Sequence, residues 1–471
     1  MDVSAPAVQP SPSVWATLRE AVRGSRQDLT QAPIGRAVVL LAVPMVLEML
    51  MESVFAVADV FFVGRLGADA VATVGITESL MTVIYAVAVG LSIGASATVA
   101  RRIGEGDPDR AARAAAQSIA LGLAGAAAVG VTGGIFAPDL LRLMGASDGV
   151  IGIGSGFTRV MLGGSGTVLL LFLVNAIFRG AGDAAIAMRV LWFANAINIV
   201  LGPCLIFGLG PFPELGVTGA AVATTIGRGS GVLLQLYQLT RGGSRIVLGR
   251  SHLRSDREVM AGIVRLSGVG MFQNLIGTAS WMALIRILTG FGSAAVAGNT
   301  IGIRLVIFAA LPSFGLGNAA ATLVGQNLGA GRPDRAEAAV WRAGLYNTIA
   351  LGLVGLLFLV FAPPLIRIFS SDPEVIPYGV RSLRIVSAGF LFYGYGLVLT
   401  QSFNGAGDTR TPTLINLVCL WMLEIPLAWV LAHPAGLGPT GVFTSVSVSF
   451  SVLAVVSAVI FKQGRWKTLR V

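Results

Sequence analysis

The sequence predicts an all-α polytopic membrane protein, with twelve transmembrane helices in two parallel six-helix lobes related by a pseudo-two-fold axis along the membrane normal. Three observations predict it. Of 471 residues, 55% are hydrophobic and 12% charged, with a mean hydropathy of +0.80; a soluble domain carries roughly twice that charge. Apolar runs long enough to cross a bilayer, which takes ~20 residues, recur along the whole chain and are continuous rather than alternating, which excludes a barrel. Finally, the chain repeats itself. "FRGAGD" (178–183) returns as "FNGAGD" (403–408), "RRIGEGDPDRA" (101–111) as "QNLGAGRPDRA" (326–336), and "GADAVA" (67–72) as "GSAAVA" (292–297). All three pairs are 225 residues apart, which marks an internal duplication.

The elements follow in order. Residues 1–35 are polar and read as a cytoplasmic N-terminal tail, without the apolar core of a signal peptide. Within it, 13–29 reads either as a short helix on the membrane surface or as a disordered tail. The N-terminal lobe, 36–240, holds spans 1 to 6 at 36–64, 69–100, 112–144, 150–178, 184–208 and 216–240. A basic cytoplasmic linker, 241–258, leads to the C-terminal lobe, 259–462. Its spans 7 to 12 lie at 259–289, 293–325, 336–370, 375–403, 410–432 and 440–462, and 463–471 form a cytoplasmic C-terminal tail. With the N-terminus inside, 24 Lys and Arg fall on the cytoplasmic side and 7 outside. That bias predicts a multi-pass protein of the cell (inner) membrane with both termini in the cytoplasm. It also accounts for the net charge of +10 without a nucleic-acid partner.

The repeated phrase falls in the short turns after spans 4 and 10. Gly-Ala-Gly supplies the backbone angles of a tight turn, and Asp183 and Asp408 are placed to cap the following helices. No GxGxxG or P-loop accompanies it, so it reads as architecture. "GLSIG" (90–94) likewise reads as a packing motif. Cys204 and Cys419 lie in apolar spans as inert small residues, and His252 and His433 fall in loops; no metal-ligand cluster is expected.

Ionisable residues within spans are more telling, because a charge at the bilayer centre costs ~2.5–3.5 kcal/mol on insertion scales. Span 1 carries Glu48, Glu52 and Asp59, spaced by four and seven. At 100° per residue they share one face within about 40°, over roughly 16 Å. Glu78 adds an acid in span 2 and Glu424 one in span 11, while Arg228 and Arg304 are the cations near mid-membrane. The acids belong to a proton or sodium relay, or to buried ion pairs with Arg228 or Arg304. Pro44 removes a hydrogen bond from the acid-bearing helix and is a candidate hinge. Asn175, Asn195 and Asn198 are amides able to coordinate a cation or to bond across helices.

The Pro44-x14-Asp59 spacing, the "GxGD" turns and "LGAGRPDRA" together resemble the multidrug and toxic compound extrusion (MATE) transporters over residues 36–462. The resemblance implies rocking of two lobes and export of cationic or amphipathic compounds in exchange for H+ or Na+. It also implies a cation site at Asp59, Asn175, Asn198 and Thr224, to which Glu48 and Glu52 add charge, and a bending proline at Pro44. The chain departs from the prokaryotic pattern at Gly202, where a second aspartate is usual, and at Phe157, where a tyrosine is. Asn274 and Tyr393 stand where another bacterial branch has acids in spans 7 and 10. The expected partners are a drug-like small molecule and membrane lipids, in a monomer without a bound cofactor beyond the coupling ion. A flippase for a lipid or lipid-linked sugar of the same superfamily is the alternative. A passive channel is separated from a pump by whether a dye accumulates against its gradient. No HExxH or intramembrane histidine suggests an enzyme.

Overall fold

The computed structural model describes residues 13–469, all of whose regular elements are helical. The N-terminal half comprises α1 (Val14–Arg23), α2 (Ile34–Val63), α3 (Ala68–Gly104), α4 (Pro108–Ile135), α5 (Ala137–Leu143), α6 (Asp148–Gly163), α7 (Ser165–Ala181), α8 (Ala184–Phe207) and α9 (Val217–Arg241). The C-terminal half comprises α10 (Arg257–Thr289), α11 (Ser293–Gly329), α12 (Pro333–Phe369), α13 (Val375–Ala388), α14 (Phe390–Gly405), α15 (Arg410–Asn416), α16 (Ile425–Ala432) and α17 (Pro439–Lys462). A π-helical stretch, Leu417–Glu424, joins α15 to α16. Ten of the described helical spans are long and apolar enough to cross a bilayer, and α13 with α14, bent by 60°, makes an eleventh. The twelfth, α9, interrupts its apolar stretch with Arg228, Gln235 and several small polar residues.

The duplication is visible in where the helices fail. Span 4 breaks at Gly164 and span 10 at Gly389, 225 residues on. Span 3 leaves helical angles at Phe136 and span 9 does so at Phe361, again 225 apart. Pro138 and Pro363 follow those two kinks, each lacking the N–H that would continue the ladder. Span 1 behaves differently: α2 runs on as helix through Pro44.

The glycines of the repeated phrases have two jobs. The second of each, Gly182 (φ +89°) and Gly407 (φ +84°), takes the left-handed turn that closes its helix. The first lies against its neighbour's backbone: a Cβ on Gly180 would meet Ser96 O at 2.7 Å, and one on Gly405 would meet the backbone of Ala321. Asp408 accepts from Thr411 N at 3.1 Å and so caps the next helix. Asp183 does not cap α8. Its carboxylate accepts instead from Ser244 Oγ and Arg245 N, both at 2.7 Å, and fastens the linker between the lobes. A folded-back linker supplied closer donors than the first turn of α8 did.

The lobes meet toward the end that carries α1, the linker and the 104–108 turn. There α3 crosses α10 and α11, while α11 crosses α2. Gly90 and Gly94 pack on Ser267, Met271 and Ile263 of α10, the predicted packing motif. Gly104 and Gly329, 225 apart, cross so closely that a Cβ on either would strike the other lobe's backbone, at Gln326 and Arg101 respectively. A strap, 25–32, seals this end: its carbonyls accept from Arg245 of the linker and from Arg332 and Arg335 of the second lobe. At the opposite end no described glycine lies against the other lobe: Cβ atoms on Gly154 and Gly219 would meet only first-lobe atoms, and those on Gly298 and Gly441 only second-lobe atoms. The lobes are joined at one end and parted at the other.

Candidate cation-coupling site

The acid-bearing face of α2 turns into the N-terminal lobe, against α8. Glu48, 1% exposed, accepts from Arg179 Nη1 at 2.7 Å and from Asn175 Nδ2 at 3.0 Å, so that both helix-α7 residues, one turn apart, reach the same Oε1. Asn175 in turn accepts from Gln235 of α9 at 2.7 Å. One turn along α2, Glu52 accepts from Arg228 Nη2 at 3.2 Å and from Asn195 Nδ2 at 3.0 Å. Arg228 is itself buried, with its guanidinium 5.5 Å from the centroid of Phe55 and 5.7 Å from that of Phe172. Each pair exchanges a carboxylate's charge for neutrality inside the bundle. Taking one partner from such a pair strands the other charge, at a cost of ~3–5 kcal/mol.

Asp59, seven residues beyond Glu52, is different. It is partly exposed toward the parted end and, among the described residues, makes no hydrogen bond or ion pair. Glu78 of α3 and Arg228 are the charges that act on it. Glu78 is partly buried, and the charge acting on it comes from Arg304 of α11, in the other lobe. Asn198 donates to Thr224 at 2.8 Å in a buried pair, and a Cβ at Gly202 would lie 3.8 Å from Asn198 Oδ1. The position that departs from the family's aspartate therefore faces that pair. Phe157 is buried in the outer core of this lobe.

In the second lobe Glu424 is buried and accepts from Ser280 of α10 at 2.8 Å. The Tyr393 hydroxyl donates to Val446 O at 3.4 Å, and Asn274 lies half-buried on α10.

The expected cation-site residues are thus sorted into three groups. Glu48 joins Asn175, Glu52 joins Asn195 and Arg228, and Asn198 joins Thr224, while Asp59 stands apart toward the opening. The sequence reading missed Arg179, counted there among the cytoplasmic cations of the turn. Its signal was present in the four-residue spacing from Asn175, which matches that of Glu48 and Glu52 on the facing helix. Arg304 pairs with neither glutamate of α2.

The MatE family model matches residues 44–204 and again 270–430, the two halves of the duplication. A probable multidrug resistance protein, YoeA, from Bacillus subtilis is 27% identical over 431 residues, covering 90% of this chain and 93% of that one. A probable multidrug resistance protein, NorM, from Thermotoga maritima is 28% identical over 453 residues, covering 92% and 93%. A solved outward-facing conformation of a multidrug resistance MATE family transporter superposes with a TM-score of 0.86 at 25% identity, covering 93% of this chain and 96% of that one. With both halves matched by the family model and the fold shared end to end, this chain belongs to the MATE family of transporters.

Proposed function

We propose that this chain is a secondary active exporter of drug-like compounds, cationic or amphipathic, that admits H+ or Na+ in exchange and works as a monomer in the cell membrane with its termini in the cytoplasm. The observation that carries the reading is the contrast along α2. Glu48 and Glu52 are neutralised by Arg179 and Arg228, whereas Asp59 keeps a carboxylate without a bonded partner at the parted end. That is where a coupling ion arriving from outside would be received. Arg228 links the two environments, because it bonds Glu52 and also feels Asp59. Neutralising Asp59 frees Arg228 to commit to Glu52, which gives the ion a differential hold on two arrangements of α2 and α9. The positive end of the molecule, with α1, the linker and the strap, supports a cytoplasmic assignment for the joined end.

The energetics separate substrate classes. One proton exchanged for one monovalent cation is electroneutral, so only the pH gradient drives it, at ~1.4 kcal/mol or tenfold per unit. A neutral amphipathic substrate also gains the membrane potential, ~2.3 kcal/mol per 100 mV. Glu48 and Glu52 serve this reading as the positioning pairs of the site rather than as extra ion ligands. The flippase alternative draws no support from the relatives above, which are named as probable multidrug resistance proteins.

The test is efflux by purified protein in vesicles, with pH and sodium gradients imposed separately. The proposal expects a monocationic dye to move uphill under one of them. Dye that only equilibrates under both would make the chain a passive conduit and overturn the reading.

A further inference from the structure

Glu424 is an isolated acid. It is 2% exposed inside the second lobe, and among the described residues it forms no ion pair. The titratable groups near it are Tyr393 of α14 and Cys419 of its own helix, both neutral in ordinary conditions. Helix α10 presents Ile276 and Ser280 to this stretch, and α17 presents Val446 and Ser447 around Tyr393, none of them ionisable. A lone carboxylate in such surroundings is far too costly to persist, so the group holds a proton or a cation.

The oxygens within reach decide between them, and they favour a proton. Ser280 Oγ lies 2.8 Å from Glu424 Oε2, to which it donates, and 2.9 Å from Leu420 O. A sodium ion would need five or six oxygens around it, and one hydroxyl with an already engaged carbonyl does not supply them. The setting is also built to move. Glu424 closes an eight-residue π-helical stretch, and Pro426, just beyond it, removes a further intrahelical hydrogen bond. Such stretches are frequent at functional sites. At the 225-residue offset Ser280 corresponds to Phe55, which lies between Glu52 and Asp59 on α2. The second lobe therefore holds its acid at the depth where the first lobe holds its own.

We infer that Glu424 is a second proton-carrying site, loaded in the outward-parted arrangement and unloaded when the lobes rock, so that each transport cycle admits one proton through each lobe. The inference rests on the antiport reading above, with H+ as the ion. Its consequence is arithmetical. Two protons exchanged for one monovalent cation make transport electrogenic and raise the attainable substrate gradient from tenfold to a hundredfold per pH unit.

The experiment uses the full chain in vesicles with ethidium as the monocation, measuring the dye gradient at which net flux stops against imposed pH difference and voltage. Wild type is expected to respond to voltage and to give a hundredfold gradient per pH unit. Glu424→Gln keeps the shape and a hydrogen bond to Ser280; it is expected to lose the voltage response and fall to tenfold. Equal stoichiometry in wild type and E424Q would overturn the inference and leave antiport standing. Wild-type export without proton counterflow would overturn both. If E424Q does not transport, Ser280→Ala decides: removing the carboxyl's bonded partner must shift the pH midpoint of counterflow, and an unshifted profile would overturn the assignment.

Discussion

The two lobes share a fold, yet the first carries charges in its interior where the second carries almost none, and the bonded charges differ in pairs. At the 225-residue offset, Glu48 and Arg179 of the first lobe become Gln273 and Asn404 of the second. Glu52 and Arg228 become Gly277 and Leu453, and Asp59 becomes Leu284. No charge has been dropped while its partner was kept. This is what burial demands, since an ion pair and an uncharged pair are both tolerable in a membrane bundle but half an ion pair is not. The one acid that breaks the pattern in the second lobe, Glu424, has no counterpart in the first, where Ile199 stands.

Breaking a pair on one side should have the largest effect. Glu48→Ala strands the Arg179 guanidinium and is expected to cost ~3–5 kcal/mol of stability. The double change Glu48→Gln with Arg179→Asn imports the second lobe's solution and should recover most of that loss. Thermal unfolding of the purified chain reads both. A double variant as unstable as the single one would mean the lobes are not interchangeable at this pair.

The second contrast is between the joined and parted ends. Gly104→Ala pushes a Cβ into the backbone at Gln326, and overpacking of this kind costs ~1–3 kcal/mol. The joined end should loosen, and distances between spin labels on 101–107 and 326–332 should broaden. Gly75→Ala, where nothing lies within 4 Å, should leave the same distances unchanged. If both variants behave alike, the crossing glycines do not hold the lobes together.

The smallest effect concerns α1. Ser25 Oγ, donating at 2.6 Å, and the Arg36 guanidinium at 2.7 Å hold the Glu20 carboxyl below its ordinary value, against the burial that raises it. A lowered acid stabilises above its unfolded value, ~4.3, and that contribution fades as pH falls from there through the lowered folded value. Amide protection factors in α1 should therefore be constant from neutral pH to about 5 and fall below, by the equivalent of under ~1 kcal/mol for so exposed a pair. Glu20→Gln should remove the dependence.

Much of the fold was legible because hydrophobic length and a repeated offset are properties of the chain itself. The twelve spans, the glycine turn of each repeated phrase and the packing role of Gly90 and Gly94 follow from them directly. The kinks at Phe136 and Phe361 were missed, although a proline two residues after each was the mark. The partners of the acids were less accessible. A membrane helix offers several faces to several neighbours, and spacing on one helix does not say which neighbour bears the cation. Thus Arg179 was read as part of a turn, since "FRGAGD" placed it one residue from a glycine, whereas its side chain reaches back into the bundle. Asp183 went the same way: a cap is a local inference, and the linker that claimed its carboxylate lies 61 residues away.

The central claim is that Asp59, alone on the acidic face of α2, receives the coupling ion. The most direct test is counterflow and dye export measured together for Asp59→Asn in vesicles, beside Glu48→Gln with Arg179→Asn as a control that removes another pair of the same helix whole. The account predicts that the Asn variant folds, binds dye and neither exports it uphill nor admits the ion, while the control keeps ion-driven export at reduced rate. Uphill export by the Asn variant at wild-type rate would contradict it.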